Sequence, residues 1–197
     1  MKRITNSFAS GAASTTGFAA SVTGATWPLT TTAATDGLYH VLTISGTTNH
    51  SGKSAAIVGI GPNGEAQSET IAALPNGVQT VSGSKYWKSV TSVTPSATIG
   101  ADTMTIGWGA GSVSPWVPVA NYNSPAYFNL GFVAQVTAGS PNYTVQGTYD
   151  DLLAVDHATV AAQTTTQEGT YTAPRSSIRV KFTVAGTVNL VVMAGHL

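Results

Sequence analysis

The chain is 197 residues long, with 8 basic and 8 acidic side chains and a formal net charge of zero. It therefore cannot build the field of Lys and Arg that phosphate recognition needs, and nucleic-acid binding is excluded. Cysteine is absent, which removes disulfides, thiolate zinc sites and cysteine nucleophiles together and leaves the redox compartment undecided.

The 19 Ser, 30 Thr, 21 Gly and 27 Ala suit strands and tight turns better than helices. A hydrophobic fraction of 42% and a mean hydropathy of +0.12 supply enough apolar surface to fold. The longest apolar run, Leu190 to Ala194, is far shorter than the roughly 20 residues a membrane span requires, so no membrane partner is expected. Met1-Lys2-Arg3 opens as a signal peptide would, but Ile4 to Ser10 contains no apolar core, and export by that route is not expected.

In chain order, residues 1–36 read as an extended N-terminal arm. They are rich in Ser, Thr, Ala and Gly, with isolated Phe8, Phe18 and Trp27, and are expected to be disordered or ordered on a neighbouring subunit. From residue 37 the texture changes to short apolar runs punctuated by turn signals. Strands are predicted near 38–45, 54–60, 66–72, 78–82, 86–94 and 103–108. The turns between them fall at Thr47-Thr48-Asn49, Pro62-Asn63-Gly64, Pro75-Asn76-Gly77 and Ile99 to Asp102. Residues 111–115, within the aperiodic stretch Gly109 to Pro115, read as a linker.

Beyond it, Phe128, Leu130, Phe132, Ala134 and Val136 share one face of a strand. A turn at Ala138 to Asn142 would fold this strand back on Tyr143 to Tyr149 as a hairpin. A second hairpin is predicted from Ile178, Val180, Phe182 and Val184, turning at Ala185-Gly186 into Val188, Leu190 and Val192, with Arg179 and Lys181 on its wet face. The expected fold is thus all-β: two tandem small antiparallel β-sandwich modules, jelly-roll-like, at 37–110 and 116–197, preceded by the arm. A single core of about 75 to 80 residues supplies only about 3 to 5 kcal/mol, which points to a homo-oligomer, with a trimer favoured.

Gly59-Ile60-Gly61-Pro62-Asn63-Gly64 satisfies G-x-G-x-x-G after an apolar run. A dinucleotide site also needs a helix directly after the glycines and an acidic residue about 20 positions on. Glu65 to Ile71 is a poor amphipathic helix, and the later position carries Lys85, so a hairpin turn explains the glycines. Asp150, Asp151, Asp156 and His157 form the one concentration of titratable groups in the sequence. They could hold a hard cation or furnish an acid and a base, but a solvated loop at a strand end accounts for them. There is no G-x-S-x-G elbow. Tyr86, Trp87, Trp108, Trp116, Tyr122 and Tyr127 could form a sugar platform, although aromatics near strands more often fill cores and subunit interfaces. No catalytic, cofactor or metal residue is assigned. Phe18, Trp27, Trp108 and Trp116 are the expected interface anchors.

Two groups of motifs carry a resemblance. Ile57 to Ile71, followed by Val81 to Val93 with its Gly83-Ser84-Lys85-Tyr86-Trp87-Lys88-Ser89-Val90, resembles a module of tailed-bacteriophage virion proteins. Trp116-Val117-Pro118-Val119, Tyr143-Thr144-Val145-Gln146-Gly147-Thr148-Tyr149-Asp150-Asp151 and Ala173-Pro174-Arg175-Ser176-Ser177-Ile178-Arg179-Val180 resemble a companion module. The resemblance covers most of residues 37–197 and implies a virion structural protein with no catalytic residues. The leading expectation is a capsid decoration or cement protein bound to the major capsid protein on the head exterior. A neck, tail or fibre-base protein is the close alternative, and a carbohydrate-binding adhesin is a third reading.

Overall fold

Alternation of apolar and polar side chains becomes strand almost wherever it occurs. The computed structural model describes residues 2–119 and 129–195, and no helix occurs among the described residues. The strands are β1 (Lys2–Ser10), β2 (Ser14–Val22), β3 (Tyr39–Gly46), β4 (Ala55–Ile60), β5 (Ala66–Ile71), β6 (Gln79–Trp87), β7 (Ser89–Pro95), β8 (Met104–Val113), β9 (Val117–Pro118), β10 (Asn129–Thr148), β11 (Val155–Asp156), β12 (Gln167–Tyr171) and β13 (Ser177–Gly195). The protein is all-β and antiparallel, as expected. Tyr122, Tyr127, Phe128 and His196 lie outside the described residues.

The chain forms two compact units: unit 1 from Met1–Gly11 and Val113–Leu197, and unit 2 from Ala12–Ser112. The passage between them at Ser112 and Val113 falls within the predicted linker. The backbone there is strand rather than loose linker, because β8 continues to Val113 and both residues are buried. Each unit also takes in part of the presumed arm.

In unit 2, β8, β3 and β6 are neighbours in one sheet, and β5, β4 and β7 form another. The alternation of β4 buries Ala55 and Ile57 while Ala56 and Val58 face out. Inward side chains of both sheets, among them Leu42, Ile44, Ile57, Val90, Val93, Met104 and Ile106, join one hydrophobic cluster. This is the arrangement of a sandwich core. β2 adds to the edge of β8, with Ser14 opposite Trp108 and Val22 opposite Met104.

The glycine motif is a hairpin. β4 returns directly as β5, Ile60 pairs with Ala66, and the Gly64 amide donates to the Gly61 carbonyl at 3.1 Å. Gly64 has φ of 87°, a region that costs a side chain with a branched Cβ. Gly64→Val is expected to destabilise the protein by about 1 kcal/mol or more. A denaturant midpoint unchanged by the substitution would contradict the turn.

Unit 1 departs from the two predicted hairpins. β10 and β13 are each one long strand, and they pair with each other from Asn129 opposite Gly195 to Thr148 opposite Ser177. The glycines and proline read as turns produce bulges instead. The register shifts between Val136 and Tyr143, where Gly139 lies opposite Gly186. A Cβ on Gly186 would stand 2.7 Å from Pro141 Cδ, so the two irregularities fit only because both strands carry glycine. Leu130, Phe132, Ala134, Val145, Ile178, Val180, Phe182, Val188, Leu190 and Val192 are buried as their alternation requires.

The arm is extended, but its pairing partners lie within this chain, which corrects the expectation that a neighbouring subunit holds it. β1 pairs along its whole length with β13, from Lys2 opposite Ala194 to Ser10 opposite Gly186. Ile4 lies opposite Val192 and Phe8 opposite Val188, and these half-buried side chains share a face with Asn6.

Candidate functional site

Of the expected interface anchors, Phe18, Trp27 and Trp108 are buried in the unit 2 core, so they are not free to seat a partner. Phe18 meets Trp108 edge to face at 5.4 Å between ring centres, and the Trp108 indole N–H donates to the Ala12 carbonyl at 3.3 Å. Glycine at position 17 makes this packing possible, since a Cβ there would land on the Trp108 ring. Trp116, in unit 1, is half-buried and carries the Arg179 guanidinium 4.2 Å from its ring centre. Arg179 is not on a wet face, as its place in the alternation suggests. It is buried, and its Nε donates to Gln146 Oε1 at 2.8 Å. Burial of a cation here is supported by a hydrogen bond and a ring face from two other segments.

The titratable cluster disperses into separate tasks. At the end of β10, Asp150 Oδ1 accepts the amides of Leu152 and Leu153, each at 2.9 Å, and the Thr148 hydroxyl at 3.1 Å. The Leu153 and Leu152 amides hold the Asp150 carboxyl below its ordinary value of 3.8. Asp151 adopts φ of 61° and accepts the Ser176 hydroxyl at 2.9 Å. Asp156 accepts Gln146 Nε2 at 2.6 Å.

His157 is buried, and its Nε2 faces the Thr170 carbonyl at 3.1 Å, so that nitrogen carries the proton. Its Nδ1 accepts the Val160 amide at 3.2 Å and the Thr159 amide at 3.4 Å. The ring stands edge-on to Tyr171 at 4.8 Å and Phe132 at 5.1 Å. Both nitrogens are thus used in holding the segment after β11. Among the described residues no three His, Asp or Glu side chains converge as metal ligands.

What the Asp150 turn presents is apolar. Leu152 is 70% exposed and Leu153 67%, with Tyr149 and Val155 exposed beside them. The adjacent leucine pair is thus an exposed apolar patch on a turn whose backbone is ordered by the Asp150 carboxylate. The cap has a definite pH dependence. With its folded pKa depressed, Asp150 stabilises the turn above pH 3.8 and loses that contribution as pH falls through the lower folded value. The protection of the Leu152 and Leu153 amides, taken as exchange slowed relative to the intrinsic rate at each pH, is therefore expected to be constant from neutral pH to about 5 and to fall on further acidification. In Asp150→Asn the acidification step should disappear. Unchanged protection of both amides at pH 2 in the parent chain would contradict the cap.

The fold and this loop together define an all-β antiparallel protein with an exposed apolar loop. No protein-family model and no curated protein matches the chain. Among solved structures, allantoicase from Saccharomyces cerevisiae is similar with a TM-score of 0.25 and 9% identity, over 79% of this chain and 73% of that one. A likeness of that size carries no argument about fold or activity.

Proposed function

We propose that this chain is a structural component of a bacteriophage virion, a decoration or cement protein that binds the major capsid protein on the head exterior as a homo-oligomer, with a trimer favoured. The observation that carries the reading is the exposed Leu152 and Leu153 pair on its capped turn. Low charge, with 8 basic against 8 acidic residues, supports attachment through apolar and backbone contacts rather than ion pairs. The motifs at 57–71, 81–93, 143–151 and 173–180 support the virion class. They serve a neck or tail location equally well.

Binding of the purified chain to heads that lack it, followed between 50 and 200 mM salt, tests the proposal. Affinity is expected to change by less than about tenfold over that range, where an attachment through 6 to 10 ion contacts would lose about a thousandfold or more. Replacing both leucines by serine should weaken binding by at least about tenfold, because burial of each contributes about 1.5 to 3 kcal/mol. A steep salt dependence, or full binding by the double variant, would overturn the contact assignment.

A further inference from the structure

A second feature of unit 1 is independent of the virion reading. Arg175 places its guanidinium carbon 4.0 Å from the Tyr149 ring centre and 5.0 Å from that of Tyr171. Its stem lies over Gly147, where a Cβ would stand 3.0 Å from Arg175 Cδ and Nε and from Tyr171 Cζ. Glycine on β10 therefore makes the room that Arg175 occupies.

Seven buried side-chain polar atoms among the described residues have no hydrogen-bond partner, and three of them are Arg175 Nε, Arg175 Nη1 and the Tyr171 hydroxyl. Both residues line one cleft of about 300 Å³, together with Asp156, His157 and Thr170. Buried donors without acceptors are costly, and their concentration in a concave site marks a place where a ligand supplies what the protein does not. Burial pushes the Tyr171 phenol up, with the Arg175 charge opposing it, so the hydroxyl remains a proton donor.

The cleft specifies more than an anion. Asp156 lies in it with Oδ1 held by Gln146, so a doubly charged phosphate would meet a carboxylate, whereas a singly charged carboxylate bearing hydroxyl groups would find both a cation and an acceptor. Tyr149, 58% exposed, packs its ring on the Arg175 guanidinium from outside the residues that line the cleft. We propose that this cleft binds a carboxylated sugar, its carboxylate on Arg175 and the Tyr171 hydroxyl and its ring hydroxyls on Asp156.

Titration of the full chain with D-glucuronate, D-glucose and inorganic phosphate, followed by chemical shifts or heat, tests this. Glucuronate should bind saturably and at least about tenfold more tightly than either of the others. Arg175→Gln should abolish that preference. Tyr171→Phe, which removes only the hydroxyl and keeps the packed ring, should weaken glucuronate by about threefold or more and leave glucose unchanged. Equal binding of glucose, tighter binding of phosphate, no saturation with glucuronate, or a Tyr171→Phe protein that binds as the parent does would each overturn the assignment. The comparison among ligands on the parent chain decides even if the Arg175 variant fails to fold.

Discussion

Removing residues 2–10 is expected to destabilise unit 1 by about 3 kcal/mol or more and to make the truncated chain aggregate. The strand lost pairs with β13 over nine positions, from Lys2 to Ser10. Its loss leaves the backbone groups of residues 186–194 unpaired on that side. It also uncovers Val188 and Val192, against which Phe8 and Ile4 pack as cross-strand partners. Each half-buried apolar side chain contributes about 1 kcal/mol and each net hydrogen bond about 0.5 to 1.5, against the entropy of ordering the segment. A domain with about 5 to 15 kcal/mol in total cannot lose this strand silently. The checks are the denaturant midpoint of the truncated chain beside the full one and light scattering during refolding. A truncated chain with the parent's midpoint and no aggregation would show that β1 is dispensable, as an arm would be.

The second large effect is expected at Gly107. A Cβ there would land on the Ser14 carbonyl oxygen and the Thr15 carbonyl carbon, both of them backbone. Neither can turn aside as the end of a side chain can, so Gly107→Ala must push β2 from β8, and the expected cost is about 2 to 4 kcal/mol. The strand it displaces carries Phe18, Ala19 and Val22 into the unit 2 core, so the loss spreads beyond the single contact. Gly131→Ala is the matched control, since a Cβ at that strand glycine meets only the Met193 carbonyl oxygen at 4.0 Å. Thermal unfolding of the two variants should separate by several degrees, with Gly107→Ala the lower. Equal melting temperatures would contradict the close approach of β2 to β8.

How far the fold was legible in the sequence depended on whether a signal was local. The strands from Tyr39 to Ile71 announce themselves because alternation and turn chemistry are both short-range, and the Pro62-Asn63-Gly64 turn follows from three residues alone; the break expected at 83–85 falls instead at Lys88, because β6 runs on through Gly83 to Trp87. Pairing is not short-range. Gly139, Pro141 and Gly186 carry the same chemistry whether they reverse a chain or bulge it, and only the partner strand decides. β10 and β13 therefore read from sequence as two hairpins, although they pair with each other.

β1 does show alternation at Ile4 and Phe8, but Asn6 interrupts it and the surrounding Ser, Thr and Gly mask it. Arg179 occupies an outward position by its alternation and is buried because Gln146 and Trp116, from two other segments, meet its guanidinium. At the candidate site the loop at Asp150 was visible from sequence, including its place at a strand end. Its Leu152 and Leu153 carry a signal of their own, two large apolar residues in an otherwise polar turn. The grouping of Tyr149, Tyr171 and Arg175 had no sequence signal, because Gly147 makes the space for it from the neighbouring strand.

The proposal that this chain is a virion surface component is tested most directly by its place in a particle. Virions of a phage carrying this sequence, imaged at subnanometre resolution with and without the chain, should show an all-β density repeated on the head exterior, with the Asp150 to Val155 loop turned toward the capsid. That density should vanish when the chain is deleted. Particles with identical density in both preparations would contradict the account.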